Sequence, residues 1–522
     1  MLIIRVGLLI GLIGVPPLFG ALPPEAQALL DSLPKKSLTL DLVLSRAVGA
    51  SDSFRAISAE KIRTEVSALR AKALLDYQFS LEGSLLDNQN EVISPFQPSR
   101  TKVSQATLGV STLFESGTRL AAEVGHGFTS LGFTVPPGNP DPSVSVHQTT
   151  ASLSVVQSLW KDFLGYATRR AIEAGALATQ SAEFAFDESI EQWTLDLVEV
   201  YYNAWLAKSR AQASDTGVSR QTRLARITNV RAKRGTAERP DVIQVQSTLT
   251  QSKLQKNLSQ ENLNRVWRNL IISLKLPVEW IEIDPMLIPI ELEDPTPEAL
   301  AACGPASQPN PPPKETSSTE KAKHMAEAAK LSAERAESNA NPDLTLSAAL
   351  NANGLNPTGP GPTWGEAFRA EHPSWTVAVA LKFPLGFSAQ EAEMRSAQAD
   401  LIRAEAMASD ATSRLQVNWM NECAQLRRLN ERVELLTETF RQQEVRAKLE
   451  ERRFQVGRSQ ALQVIQADAD TIQTELSLRE AEVEVRMSAW RVRRMKGLVK
   501  PYLEKLLKNP PSLKVIEEKK EI

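Results

Sequence analysis

Between Gly386 and Gly457 the chain runs from Phe387 to Val456 without a glycine or a proline. Within that stretch Cys423, Leu426, Leu429, Val433, Leu436 and Phe440 follow one another in alternating steps of three and four residues. Apolar residues at that spacing keep facing one partner helix turn after turn, which is the seam of a coiled coil. A helix of about 70 residues is about 105 Å long at a rise of about 1.5 Å per residue. An ordinary globular domain has no use for an element of that length. The chain is organised around a rod.

The 522 residues carry 60 Lys and Arg against 62 Asp and Glu, a formal charge of −2, and so offer no basic surface for nucleic acid. His126, His147, His324 and His372 are scattered and support no zinc site. Cys303 and Cys423 match no metal or redox spacing, and a disulfide between them stays open. No nucleophile elbow, phosphate loop or metal motif is present, so neither an enzyme nor a cofactor is expected. Arg5, the apolar run Val6 to Gly20 and Ala21 compose a secretory signal peptide over residues 1–21. That run, about 15 residues, is short of the ~20 a spanning helix needs. No cysteine beside the cleavage site could accept a lipid, and no other stretch is long and apolar enough to span as a helix. Any membrane crossing would therefore have to be a β-barrel.

After a proline-containing leader the pattern reads as a first unit, residues 22–277, with a helix over 41–75, strands over 77–158 and helices over 160–276. Phe79, Leu81, Gly83 and Leu85 alternate with Ser80, Glu82 and Ser84, and the same two-residue period recurs around Leu108, Leu120 and Leu153. Glu115-Ser116-Gly117 makes one connection short, whereas the flanking ones are long and rich in proline, glycine or polar residues. Such strands suit a tilted membrane wall, and equally a half-buried soluble sheet. Residues 278–320 read as an exposed Pro-rich linker. A second unit, 321–500, repeats the programme with a helix over 321–339, strands over 343–383 and helices over 387–496, before a solvated tail at 501–522.

The two units align without gaps at one place. Gly235 and Gly457 are each followed by the tripeptide Val-Ile-Gln, at Val242-Ile243-Gln244 and Val464-Ile465-Gln466. Such long-period self-similarity marks duplication of a whole structural unit. The fold class is α+β, mainly α: long antiparallel helices, with both strand sets at one end and both glycine turns at the other. In each unit two shorter helices stack end to end against the long one. Six strands cannot close a barrel, because the smallest bacterial barrels have about eight. Copies of the chain must complete it, and three copies give about 18 strands if all six cross or about 12 if four do.

Arg234-Gly235, Asp241-Val242-Ile243-Gln244-Val245-Gln246, Phe454-Gln455-Val456-Gly457 and Val464-Ile465-Gln466, in this order and spacing, resemble the TolC-like outer-membrane efflux family. Leu153 to Leu159 and Val200-Tyr201-Tyr202-Asn203-Ala204-Trp205 support the likeness. The resemblance implies a homotrimer with a 12-strand β-barrel in outer-membrane lipid and an α-barrel in the periplasm. It also implies a periplasmic adaptor and an inner-membrane transporter as partners. By likeness Ala232 to Ala237 and Gln455 to Ser459, with Arg234, Gly235, Thr236, Val456, Gly457 and Arg458 at their centres, would dock the adaptor. The family's acidic gate positions fall on Gln463 and Gln466, which are neutral; Asp468 and Asp470, one turn further on, could carry that charge or face solvent. Asp241 matches an acidic tip position, and a pair with Arg458 would latch the closed tip for about 0–1 kcal/mol. Trp193, Trp205, Trp267, Trp419 and Trp490 read as packing residues, and Trp160 and Trp375 as candidates for an interfacial belt. An exit duct for small molecules or proteins is the leading function, and a periplasmic coiled-coil scaffold is the alternative.

Overall fold

The computed structural model describes residues 36–91, 97–133, 143–276 and 278–508, with a few single positions between 27 and 33. The expected signal peptide and residues 509–522 lie outside the described residues. Helices α1 (Leu40–Ala50) and α2 (Asp52–Lys72) stand where one helix over 41–75 is expected. The break falls at Ser51, where Gly49 weakens the last turn of α1 and Asp52 places a carboxylate at the positive start of α2. Strands β1 (Gln78–Asn88), β2 (Arg100–Leu113), β3 (Thr118–Gly132) and β4 (Ser143–Ser158) follow. They run further into the connections than the sequence pattern indicates, because the ladder continues through polar residues. The long helix α3 (Tyr166–Lys233) and its return α4 (Arg239–Ser273) close the first unit.

The second unit begins with α6 (Ser317–Asn339), four residues earlier than the pattern suggests, because Thr316 and Thr319 form a capping box ahead of it. Strand β5 (Asp343–Asn356), a short helix α7 (Pro360–Phe368) and strand β6 (Pro373–Lys382) come next. Helix α7 lies inside what reads as a Gly/Pro loop, started by Pro360 and held to the sheet by a Thr363–Thr149 hydroxyl bond of 2.7 Å. Then come α8 (Ser388–Gln455) and α9 (Ala461–Met495). Both long helices have 68 residues, so each is about 102 Å long. On the seam of α8, Cys423, Leu426 and Leu429 are buried and Val433, Leu436 and Phe440 half-buried.

All six strands form one antiparallel sheet in the order β1 to β6, so the two units meet through the pairing of β4 with β5. Along the rods, α2 and α4 both pack on α3, and α6 and α9 both pack on α8 and on α3. A cross-section thus meets four helices in an arc, α2–α3–α6–α8 near the sheet and α4–α3–α9–α8 near the glycine turns.

Two regions correct the sequence reading. Residues 278–320 are not an exposed linker: they carry a helix, α5 (Thr296–Cys303), and bury Ile283, Ile288, Ala299 and Cys303. Among its prolines this segment supplies apolar side chains, and the rods supply its hydrogen-bond partners. Trp419 Nε1 donates to the Asn310 carbonyl at 3.0 Å, and Arg427 donates to the Gly304 carbonyl at 2.8 Å. Cys303 and Cys423 are disulfide-bonded, which fastens the segment to α8. The tail is likewise a helix as far as Lys508, α10 (Val499–Lys508). Val499, Leu503 and Leu506 form its buried stripe, and Tyr502 donates to the Asp41 carboxylate.

These additions build a belt around mid-shaft. Tyr201 and Tyr202 are completely buried there; Tyr201 donates to the carbonyls of Leu38 and Glu291, and Trp490 Nε1 donates to Tyr202 Oη at 3.1 Å. The disulfide closes a sequence separation of 120 residues. On loop entropy it stabilises the fold by up to about 4–5 kcal/mol. Replacing both cysteines by serine should lower the denaturation midpoint of the helical portion, and limited proteolysis should then cut within residues 304–316 well before it cuts the oxidised protein.

Candidate functional site

The sheet has two unlike faces, and each runs unbroken across all six strands. Following the register, Phe79, Val110, Ala122, Leu153, Leu350 and Trp375 stand in one row. Two residues along, Leu81, Leu108, Val124, Ala151, Ala352 and Pro373 make a second apolar row on the same face. On the opposite face the row Ser80, Gly109, Glu123, Ser152, Asn351 and Ser374 has no apolar side chain larger than glycine. At β1 and β6 the apolar face is open, with Phe79 68%, Trp375 77% and Leu85 88% exposed, whereas at β4 and β5 helix α7 covers part of it and leaves Ala352 only 7% exposed. Burying a side chain of that size is worth roughly 1.5–3 kcal/mol, a gain that a water-facing sheet would forgo row after row. The strands have 10 to 16 residues, at or above the ~9–11 that cross a bilayer when tilted. Among the described residues no helix is long and apolar enough to do so.

At the other end of the rods Gly235 and Gly457 sit at φ 71° and 79°, the left-handed region that glycine enters without strain. Both end their helix in the same way. Gly235 N–H bonds to Ala232 O and Thr236 N–H to Arg231 O; Gly457 N–H bonds to Phe454 O and Arg458 N–H to Arg453 O. This is a Schellman motif at each turn. Arg234, Gly235, Thr236, Val456, Gly457 and Arg458 are all exposed, so both turns present their surfaces outward. Behind them Leu224, Ala225, Val245, Phe454, Ala461 and Val464 form a small core between the two hairpins. Arg231 crosses that gap: its guanidinium lies 4.7 Å above the Phe454 ring centre, and Nη1 donates to the Phe454 carbonyl at 3.2 Å. Arg231 was not singled out by the motif, though Phe454, whose ring and carbonyl it covers, belongs to it.

The expected gate residues do not come together. Gln463, Gln466 and Asp470 are exposed; Gln463 accepts a bond from Ser459 at 2.7 Å, and Asp470 pairs with Arg446 at 3.0 Å. Asp241 and Arg458 are both exposed, and no ion pair joins them among the described residues, so the latch is not formed within one chain. Asp468 departs from both readings of it, a ring carboxylate or a solvated one. It is only 7% exposed and is turned toward α3, where Gln221 Nε2 donates to it at 3.2 Å and Arg220 stands 3.7 Å away. Burial pushes its carboxyl up to about 6, with Arg220 opposing and Glu451 adding to the shift. Gln221 Oε1 is buried without a partner.

A profile of the outer membrane efflux protein family matches residues 318–498. That segment runs from α6 through both second-unit strands to the end of α9. No curated protein matches the sequence. Among solved structures, VceC of Vibrio cholerae is 15% identical with a TM-score of 0.60, over 88% of this chain and 95% of that one. The CmeC outer membrane channel of Campylobacter jejuni is 11% identical with a TM-score of 0.59, over 90% and 89%. The open-state MtrE channel of Neisseria gonorrhoeae is 12% identical with a TM-score of 0.56, over 88% and 88%. Likeness at such identity is one of fold, and it extends well beyond the efflux-family segment into the first unit. The family is one of transport channels rather than enzymes.

Asp468 yields a prediction with a definite sign. The folded chain holds its proton up to about pH 6, whereas an unfolded aspartate releases it near 3.8. The associated stability is therefore complete below about pH 4 and is lost as the pH rises through 6. Asp468→Asn should leave stability unchanged at pH 4 and raise it at pH 7, by up to about 3 kcal/mol, in denaturation curves recorded at both values.

Proposed function

We propose that three copies of this chain form a passive exit duct across the outer membrane, with the sheets joined into a barrel in lipid and the helices into a periplasmic shaft. The observation that carries this reading is the pair of apolar edges on the four-helix arc. On one edge, α8 exposes Ile402, Val417, Met420 and Leu435; on the other, α2 exposes Ile62 and Leu69 and α4 exposes Ile243 and Leu254. Unlike edges that repeat head to tail close into a ring when the rotation allows it. The sheet follows the same order, since β6 leads into α8 and β1 follows α2. A soluble scaffold would leave both helix edges and the apolar sheet rows in water, an exposed area far beyond that of a typical monomer.

The duct is passive on this reading because the sequence carries no phosphate-loop motif. A periplasmic adaptor is the partner for the exposed tips around Gly235 and Gly457, and an inner-membrane transporter behind it supplies the drive. The cargo is small molecules or proteins. A broad water-filled passage needs few specific contacts with either.

Purified from membranes in detergent, the protein should run as a heat-modifiable trimer and give stable single-channel conductance in planar bilayers. A water-soluble mature protein, or folded trimers without conductance, would overturn the duct. Val456→Asp, at an exposed tip position, should keep the conductance yet abolish export in cells, because it places a charge in the adaptor contact.

A further inference from the structure

We infer that the shaft carries a small-molecule site for a dipolar ion with adjacent ammonium and carboxylate groups and an apolar side chain, chemically an α-amino acid. The site lies at mid-shaft within one chain, so it stands or falls apart from the duct.

It follows from the way the helices stack. Helix α9 runs from the tip and ends at Met495, whereas α6 begins at Ser317 and runs on toward the sheet; both pack on α3 and α8. Two helices placed end to end leave a gap at their junction, where one chain turns away and the other turns in. Here the gap is a cavity of about 320 Å³. Small-molecule sites occupy about 300–1,000 Å³.

The walls carry both signs of charge. Helix α3 contributes Glu188 and Glu191, α8 contributes Arg414, and α9 contributes Arg491 and Arg494. Leu195, Leu415 and Met495 supply apolar surface. Two of the charges are spent on neighbours, Arg414 on Asp410 and Glu188 on Lys321. The other three are poorly matched. Arg491 stands 3.6 Å from Glu422 and Arg494 Nε 3.8 Å from Glu191, both beyond hydrogen-bond reach. Glu191 is only 6% exposed; its Oε1 accepts a bond from Ser317 at 3.0 Å, and among the described residues its Oε2 accepts none. Burial pushes its carboxyl up, Ser317 and Arg494 oppose that shift, and Asp187 and Glu188 add to it.

A buried carboxylate with one oxygen free calls for a donor, and a charged donor makes the strongest bond. A bare cation would be repelled by the arginines, and a bare anion by Glu191. A dipolar ion suits both: its ammonium donates to Glu191 Oε2 while its carboxylate accepts from Arg491 and Arg494. The 3.8 Å between Glu191 and Arg494 requires the two ligand charges to be close together, as on one α-carbon. The side chain then lies against Leu195, Leu415 and Met495.

The full-length protein in detergent is titrated calorimetrically with L-leucine, and with isoamylamine and isocaproate, which lack its carboxylate and its ammonium respectively. L-Leucine should bind saturably, and each analogue at least about tenfold more weakly, the loss expected when a buried charged partner goes unpaired. Glu191→Gln and Arg491→Ala should each weaken L-leucine by a similar factor. Leu415→Trp, which fills the cavity, should abolish binding, with thermal unfolding recorded to show that each variant is folded. No saturable heat with L-leucine, or equal binding of either analogue, would overturn the inference. So would L-leucine binding that survives Glu191→Gln and Arg491→Ala unchanged.

Discussion

Helix α3 is the contact on which the rest of the molecule depends. It packs against α2 and α4 of its own unit and against α6 and α9 of the other, so the buried faces of both repeats converge on it. A duplicated unit of this kind has two long helices that look equivalent, yet one is enclosed and the other is an edge. Seen as a packing problem, α8 has apolar residues on two sides but partners on only one. On the trimeric reading proposed above, the exposed residues of α8 are what is left when a ring is cut between copies.

The belt around Tyr201 and Tyr202 gives the shaft its fixed geometry. Two tyrosine hydroxyls and the Trp490 indole are buried among apolar side chains, and each has a hydrogen-bond partner. Buried polar groups cost little when paired and much when not, so these bonds set the register between α3, α9 and the wrapped segments. The disulfide, Trp419 and Arg427 do the same on α8. Oxidised cysteines suit an exported compartment. With the middle fixed, the two ends are free to specialise. The sheet end separates polar from apolar by face, whereas the tip end exposes two similar turns.

Near the tip Gln463 and Gln466 are neutral and exposed, and the acid beside them that is not solvated, Asp468, is engaged in the α3–α9 contact. Its proton is held more tightly than in an unfolded chain, so helix pairing close to the tip weakens as the pH rises toward 6. Arg231 over Phe454 supplies a second contact between the hairpins.

What the sequence determined by itself was everything carried by local periodicity. The helical and two-residue periods, the duplication, and the glycine turns after Lys233 and Gln455 can all be read within one or two turns of chain. The wrapped segment 278–316 and the helix at Val499–Lys508 were missed because their prolines and charges describe composition, whereas their burial comes from rods distant in sequence. Likewise, periodicity places Asp468 on a helix but does not say which of several neighbours that side meets. Only the tertiary structure decided that α3 rather than α8 is central, that Asp468 is inside, and that β4 pairs with β5 to join six strands in one sheet. Each of these depends on which non-local partner covers a given face, and a repeat pattern in one segment contains no term for the segment across from it.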